Sequence, residues 1–420
     1  MIMRIAPGKV SGKIQAISSK SHVHRLLICA ALSHNPTKVR CRDVSQDIAC
    51  TVKGLRALCA DIFYENDYFI VNPRMPKEEA LINCGESGST YRFLLPVAAA
   101  LGGKFTFKLQ GRLPHRPMDI FYDLLNKNGV KISGAGTELV SIEGKLSAAH
   151  YEIAGNISSQ YITGLMLCAP LIEEDVKITL ATPLQSAAYA DITMDVQRQF
   201  LVYSFRDEDH VMVSIGAGYQ SPGEVDAQGD WSNAAFWLSA AAAGGSRLSV
   251  RGLDANSAQG DKAILEMLKR FGCKISINND IVTVEESNLQ GCVIDIDATP
   301  DLAPEIAMLG LAAKGATSIQ NISRLRLKES DRAASITQTL QALGGEISLE
   351  QDAIHIRGTG VLRGGTCSGH SDHRIVMMAA CAAVFCEQDV LIEGAQAVDK
   401  SYPRFFKDLQ TLGMSAKEEE

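Results

Sequence analysis

Several things are missing from this 420-residue chain, and each absence closes off a class of protein. No apolar run reaches the roughly 18 residues that span a bilayer, and Met1 to Lys9 lack the apolar stretch of a secretory signal. A cytoplasmic protein with no membrane partner is expected. None of the eleven cysteines falls in a CxxC pair, and most sit inside apolar runs, as small buried hydrophobes do in a reducing compartment. Neither a zinc site nor a disulfide framework is expected, and His22, His24, His115 and His373 show no ligand spacing such as HExxH. The glycine pairs Gly102-Gly103, Gly244-Gly245 and Gly344-Gly345 follow helical patterns and do not open a dinucleotide fingerprint, so no nucleotide cofactor is indicated. Low-complexity tracts are absent, and a formal net charge of −7 argues against a general nucleic-acid binder.

What the chain does have is length and repetition. A single core stops growing near roughly 250 to 300 residues, so two domains are expected. One unit recurs about every 70 residues: a polar loop, an Ala-rich helix, a strand, a second amphipathic helix, a glycine and further strand. Its opening loops are Ser18 to Ser21, Glu86 to Thr90, Ser158 to Gln160, Asp230 to Asn233, Thr299 to Asp301 and Ser371 to Arg374. Second helices are expected over 261–271, 333–343 and 406–412, each stopped by the glycine that follows, Gly272, Gly344 or Gly413. Six such copies predict an α/β protein of two similar domains, each of three βαβαββ-like units, with a solenoid as the alternative arrangement. Polar stretches near 8–18 and 219–230 are the expected crossings, giving one discontinuous domain of residues 1–18 and 230–420 and one of residues 19–229.

The repeat carries electrostatic meaning. Loops at helix N-termini present unpaired N–H groups and the positive end of the helix dipole, and small residues such as Ser21, Gly88, Ser89, Ser158 and Ser159 let an anion approach the backbone. An anionic ligand is expected. Lys20, Ser21 and Arg25 place two cations and a hydroxyl within about one helical turn, which suits a phosphate, although such a segment alone reads more readily as a solvated helix start. Ser158, Ser159 and Gln160 are, taken alone, a helix cap.

Together these residues resemble the enolpyruvyl transferase family. Ser19-Lys20-Ser21…Arg25 is similar to its SKS…R element, Arg112 to Pro117 to its RP loop, and Lys328-Glu329-Ser330-Asp331-Arg332 to its KE[ST]DR element. Ser158-Ser159-Gln160, Asp372-His373-Arg374 and Lys400 extend the resemblance over almost the whole chain. It implies an inside-out α/β barrel type of fold with the active site in the interdomain cleft. The implied reaction transfers the enolpyruvyl group of phosphoenolpyruvate to the 5-hydroxyl of shikimate 3-phosphate with release of phosphate, in a monomer that needs no metal or organic cofactor.

The resemblance also distributes roles. Lys20, Gly88, Arg116, Gln160, Arg332, Arg374 and Lys400 would bind phosphoenolpyruvate. Ser21, Arg25, Ser158, Ser159, Gln160, Ser186, Tyr189, Asp301 and Lys328 would bind shikimate 3-phosphate. Asp301 would take the hydroxyl proton and Glu329 would protonate the methylene carbon, with Lys20 or Lys400 as alternative donors. This chain departs from the family pattern at Glu86, Ser89, Phe93 and Arg324. A UDP-N-acetylglucosamine enolpyruvyl transferase is the nearest alternative, but the loop Leu113 to Pro117 lacks that family's reactive cysteine. A non-catalytic sugar-phosphate binder is the alternative from another class.

Overall fold

The computed structural model describes residues 1–214 and 218–419. Two compact units emerge, Met1–Ile17 with Gln228–Glu420, and Ser18–Ala227. Among the described residues each unit holds three four-stranded sheets, and all six sheets share one plan. Strands Glu79–Gly85 and Gly103–Leu109 illustrate it: helix Gly88–Leu101 separates them in the chain, and they pair in parallel. Leu139–Gly144 then adds antiparallel to Gly103–Leu109, and Val130–Ser133 forms the far edge. Parallel neighbours require a crossover, and here the crossover is the Ala-rich helix.

A strand precedes each crossing between units, and it pairs within the unit that the chain is leaving. Gly12–Gln15 precedes helix Lys20–Ala31 in the chain yet pairs with Leu248–Arg251, while Glu224–Asp226 precedes helix Trp231–Ala243 yet pairs with Thr37–Arg40. The last sheet is completed from the other end of the chain, since Ile2–Ile5 lies between Val390–Glu393 and Ala416–Glu419. Backbone hydrogen bonds therefore hold every segment that a sequence reading would treat as linker.

The Ala-rich helices are buried because their residues are small and apolar on every side. Helices Trp231–Ala243, Ala303–Ala312 and His373–Ala382 form the centre of the first unit, whose core includes Trp237, Phe236, Ile306, Met308 and Met377. In the second unit, helix Gly88–Leu101 meets Ser159–Cys168 at very short range. Pro96 cannot donate to the carbonyl of Arg92, four residues back. Gly164 lies against that bared carbonyl, where a β-carbon would stand 2.4 Å from the oxygen.

Helix ends follow their glycines: Gly272, Gly344 and Gly413 all take positive φ. The helix expected over 261–271 differs at its start, being a 3-10 turn Gly260–Ala263 leading into an α-helix Ile264–Arg270. Tighter i→i+3 bonds commonly open an α-helix in this way. The other two run Arg332–Ala342 and Phe405–Thr411. All eleven cysteines are free thiols, nine of them buried, with Cys50 and Cys292 half-buried.

Candidate active site

In the unit Ser18–Ala227, side chains tie several helix N-termini together. Ser87 and Ser158 cap helices Gly88–Leu101 and Ser159–Cys168 by accepting from Thr90 N and Gln160 N. Lys20, first residue of its helix, reaches Asp47 in the first turn of Gln46–Leu58 at 2.8 Å. Thr90 Oγ1 donates to the Asp47 carbonyl. Gln160 donates through Nε2 to Ser89 Oγ at 3.0 Å and accepts from Arg92 Nη1 at 2.6 Å. Over Gly88 lies the Arg116 guanidinium, so close that a β-carbon on Gly88 would meet Nη1 at 2.8 Å. Lys20, Gly88, Ser89, Arg92, Arg116 and Gln160 thus gather where helix dipoles present positive ends, an arrangement suited to an anion.

Arg25 is placed differently. It is only 1% exposed, and four hydrogen bonds engage it within the protein. It donates to Thr193 Oγ1, Thr163 Oγ1 and the carbonyls of Ser21 and Tyr189, and its guanidinium lies 5.1 Å from the Phe93 ring. Arg25 consequently joins the Lys20–Ala31 helix to Ser159–Cys168 and Ala188–Gln199. Ser186 is buried at φ +51°, a left-handed conformation uncommon for serine, and its carbonyl accepts from Tyr189 N. Burial pushes the Arg25 guanidinium down to about 10, leaving it charged at neutral pH.

In the unit Met1–Ile17 with Gln228–Glu420, one guanidinium organises the acids. Arg332 opens helix Arg332–Ala342 and donates to Asp301 Oδ1 at 2.7 Å, Glu329 Oε2 at 2.6 Å and Asp372 Oδ2 at 2.9 Å. Lys328 Nζ lies 3.0 Å from the same Asp301 oxygen. Arg374 donates to the Asp301 carbonyl and to Ser232 Oγ, and its Nη1 lies 3.9 Å from Glu305 Oε1. Asp372 caps helix His373–Ala382 through Arg374 N, straight after two left-handed residues, His370 and Ser371. Lys400 is buried at the end of a 3-10 turn, Ala395–Lys400, that packs on this helix.

Burial alone would raise the Asp301 carboxyl, but Lys328, Arg374 and Arg332 outweigh it and hold the group well below the usual carboxylate range. Asp301 is therefore ionised at neutral pH. Lys328 is shifted down by burial despite Asp301. Burial likewise opposes charge on Arg332, yet Asp372, Glu329 and Asp301 keep it raised. Two further carboxyls go the other way: burial, with Asp301 nearby, lifts Asp261 to about 6, and burial lifts Glu305 to about 8.

The sequence reading gave no role to Asp47, Arg92, Ser232, Asp261 or Glu305, and named Asp372 only within the Asp372-His373-Arg374 motif. Asp47, Ser232, Asp261 and Glu305 lie on helices or turns whose local sequence gives no sign of which neighbour they meet. Asp372 was detectable, because an Asp directly before a helical run is a cap signal. The departures from the family pattern also find places. Ser89 accepts from Gln160, Phe93 faces Arg25, Arg324 donates to the Asp297 carbonyl, and Glu86 lies over Gly111. Among the described residues no group of His, Cys, Asp and Glu could hold a metal ion, and no helix is long and apolar enough to cross a membrane.

Comparison with known proteins adds an independent line. A family model described as EPSP synthase (3-phosphoshikimate 1-carboxyvinyltransferase) matches residues 5–409. The 3-phosphoshikimate 1-carboxyvinyltransferase of Clostridium kluyveri is 38% identical over 414 residues, covering 97% of this chain and 96% of that protein. The Clostridium novyi protein of the same name is 35% identical over 423 residues, covering 98% and 97%. Among solved structures, an EPSP synthase from Acinetobacter baumannii superposes with a TM-score of 0.84 at 22% identity, over 99% of this chain and 100% of that one. The enolpyruvyl transferase NikO from Streptomyces tendae gives 0.80 at 18% identity, over 99% and 98%. At those identities the solved structures show the shared fold.

Proposed function

The chain belongs to the EPSP synthase family, and from that premise we propose how its residues divide the family's reaction. That reaction is transfer of the enolpyruvyl group from phosphoenolpyruvate to the 5-hydroxyl of shikimate 3-phosphate, with release of phosphate. Chemically it needs a proton delivered to the methylene carbon, a proton removed from the hydroxyl, and compensation of phosphate and carboxylate charge.

One observation carries the assignment: Asp301 and Glu329 are both fixed to Arg332, at 2.7 and 2.6 Å. A single buried guanidinium thereby sets the spacing of two proton-transfer groups. Glu329 is the proposed donor to the methylene carbon. Asp301, held ionised, is a weak base, and its proposed part is to accept a hydrogen bond from the attacking hydroxyl and orient it, taking the proton as the carbon–oxygen bond forms. Loss of a proton from the tetrahedral intermediate and departure of phosphate then give the enol ether.

The cations fall into two groups. Arg25 and Arg332 spend most of their donors on protein oxygens, which supports a framework role alongside any substrate contact. Lys20, Arg116, Arg374 and Lys400, with Gly88 and Gln160, are the proposed phosphoenolpyruvate set. Ser21, Ser158, Ser159, Ser186, Tyr189 and Lys328 are proposed to hold shikimate 3-phosphate. A cytoplasmic monomer is proposed as the working form. Phosphate release from phosphoenolpyruvate, followed with and without shikimate 3-phosphate, tests the reading. Release that ignores shikimate 3-phosphate, or depends instead on UDP-N-acetylglucosamine, would overturn it.

A further inference from the structure

Behind the Arg374 guanidinium sits a carboxyl for which the reaction has no use. Glu305, in the first turn of helix Ala303–Ala312, is fully buried, and among the described residues its carboxyl oxygens find no well-formed hydrogen bond, only a weak contact with its own backbone N–H. A buried polar group left unpaired is costly, and such groups in native structures call for a reason. Its nearest cation is Arg374, 3.9 Å from Oε1. That separation is too long for a hydrogen bond, yet in a site closed to water two charges so near interact strongly.

We propose that Glu305 is a positioning residue for phosphoenolpyruvate: by gaining or losing one proton behind Arg374, it sets how strongly that guanidinium is drawn back into the protein and so how fully it faces the substrate carboxylate. The proposal rests on the assignment of Arg374 to phosphoenolpyruvate. Among the described residues the other hydrogen-bond acceptors on Arg374 are uncharged, the Asp301 carbonyl and Ser232 Oγ, with the Asp301 carboxylate 3.9 Å from Nε. A negative Glu305 would therefore add a competing anion on the side away from substrate.

The surroundings fix the sign. Asp261, Asp301 and Arg374 act on Glu305 from three different segments, and Cys381 approaches from the Arg374 helix. Helix Trp231–Ala243 brings Ser232 and Asn233, with Asp230 at its cap, and helix Arg332–Ala342 brings Arg332. Strand Gly315–Gln320 carries no ionisable group, while His355 and Arg357 of strand Ala353–Gly358 are exposed. Burial outweighs the pull of Arg374 and lifts Glu305 to about 8, so it is mostly protonated at neutral pH. An anion bound on Arg374 weakens that pull and favours the proton further. Linkage then requires phosphoenolpyruvate to bind less tightly as pH rises through this range.

Glu305→Gln keeps the volume and removes the titration. Between pH 7 and pH 9, KM for phosphoenolpyruvate should rise about tenfold more in the wild type than in E305Q, the limit for one linked proton, while KM for shikimate 3-phosphate follows the same course in both. Glu305→Asp, which retains a carboxyl, should restore part of the rise. Identical pH profiles in wild type and E305Q would overturn the proposal, as would equal changes for both substrates. Should E305Q fail to fold, the wild type alone suffices. Calorimetric titration with phosphoenolpyruvate near pH 8, in buffers of different ionisation heat, should register proton uptake, and none would be fatal. Arg374→Gln separates the two ideas: unchanged KM for phosphoenolpyruvate in that variant removes Arg374 from the substrate, whereas a raised KM beside an indifferent E305Q removes Glu305 alone.

Discussion

A β-carbon on Gly88 would stand 2.8 Å from Arg116 Nη1 and 3.4 Å from Arg92 Nη1, so the bare backbone at this helix start is what lets the Arg116 guanidinium settle there. The helix N-terminus and the cation together make a seat for an anion, and the missing side chain is part of it.

Gly88→Ala should accordingly damage binding more than folding. Its φ is negative, and the clashing atom is the tip of a flexible side chain, which can swing away. KM for phosphoenolpyruvate is expected to rise roughly tenfold or more, with thermal stability nearly unchanged. Steady-state kinetics beside a melting curve will check this. An unaltered KM would mean that Arg116 can move without consequence for substrate.

Glu329→Gln isolates proton transfer. A glutamine carbonyl can still accept from Arg332 Nη2, as Glu329 Oε2 does at 2.6 Å, so the side chain should stay where it is. Turnover should fall about 100-fold or more, in the usual range for loss of a general acid, while calorimetry shows shikimate 3-phosphate bound as before. Turnover within a few-fold of wild type would remove Glu329 from the mechanism.

How much of this was legible beforehand depends on distance along the chain. Lys328, Glu329 and Arg332 could be read as a set because they fall in one short motif that resembles the family's, and Ser87, Ser158 and Asp372 precede helical runs as capping residues do. The partners that hold the cations were not legible. Asp47 reaches Lys20 from 27 residues away and Asp372 reaches Arg332 from 40, contacts made only when the sheets bring separate helices together. Phe93 looked like a departure from a pattern, and its packing under Arg25 became visible only in three dimensions. Strands Gly12–Gln15 and Glu224–Asp226 are short and polar at their ends, so composition marks them as linker while pairing makes them sheet.

Asp372→Ala should be a stability mutant first. The carboxylate is fully buried, receives two N–H groups of Arg332 as well as Ser330 Oγ, and caps a helix. Removing it leaves a buried guanidinium short of a partner, at a cost of about 3 to 5 kcal/mol. Urea unfolding should show a lower midpoint with an unchanged slope. Asp372→Asn, which can still cap the helix, should lose less, and equal losses in the two variants would place the effect in the charge pairing with Arg332 and not in the cap.

Two buried histidines predict where acid begins to unfold the protein. Burial, with Arg25 nearby, brings His22 down to about 3; burial likewise brings His24 down to about 3, Asp47 opposing and Lys20 assisting. His24 Nδ1 lies 2.7 Å from Thr51 Oγ1 in a buried chain of hydroxyls that continues to Thr90 and Ser87, a setting for a neutral ring. An unfolded histidine takes its proton near pH 6.5, whereas these remain neutral until about 3. Between those values the unfolded chain binds more protons than the native one. The stabilising contribution is thus complete above pH 6.5 and is lost as pH falls towards 3. Each histidine adds a slope of up to about 1.4 kcal/mol per pH unit. Glu305 and Asp261, whose carboxyls are raised, act with the opposite sign over an overlapping range, so the net curve is ambiguous and the variant difference is the quantity to measure. The unfolding free energy of His24→Gln, compared with wild type from pH 6.5 down to pH 5, should fall less steeply by about one histidine's slope. That window lies above the range in which Asp301 is protonated in either state. A ring signal of His24 that titrates near pH 6.5 in the native protein would show the imidazole to be within reach of water, and the expected difference in slope would then vanish.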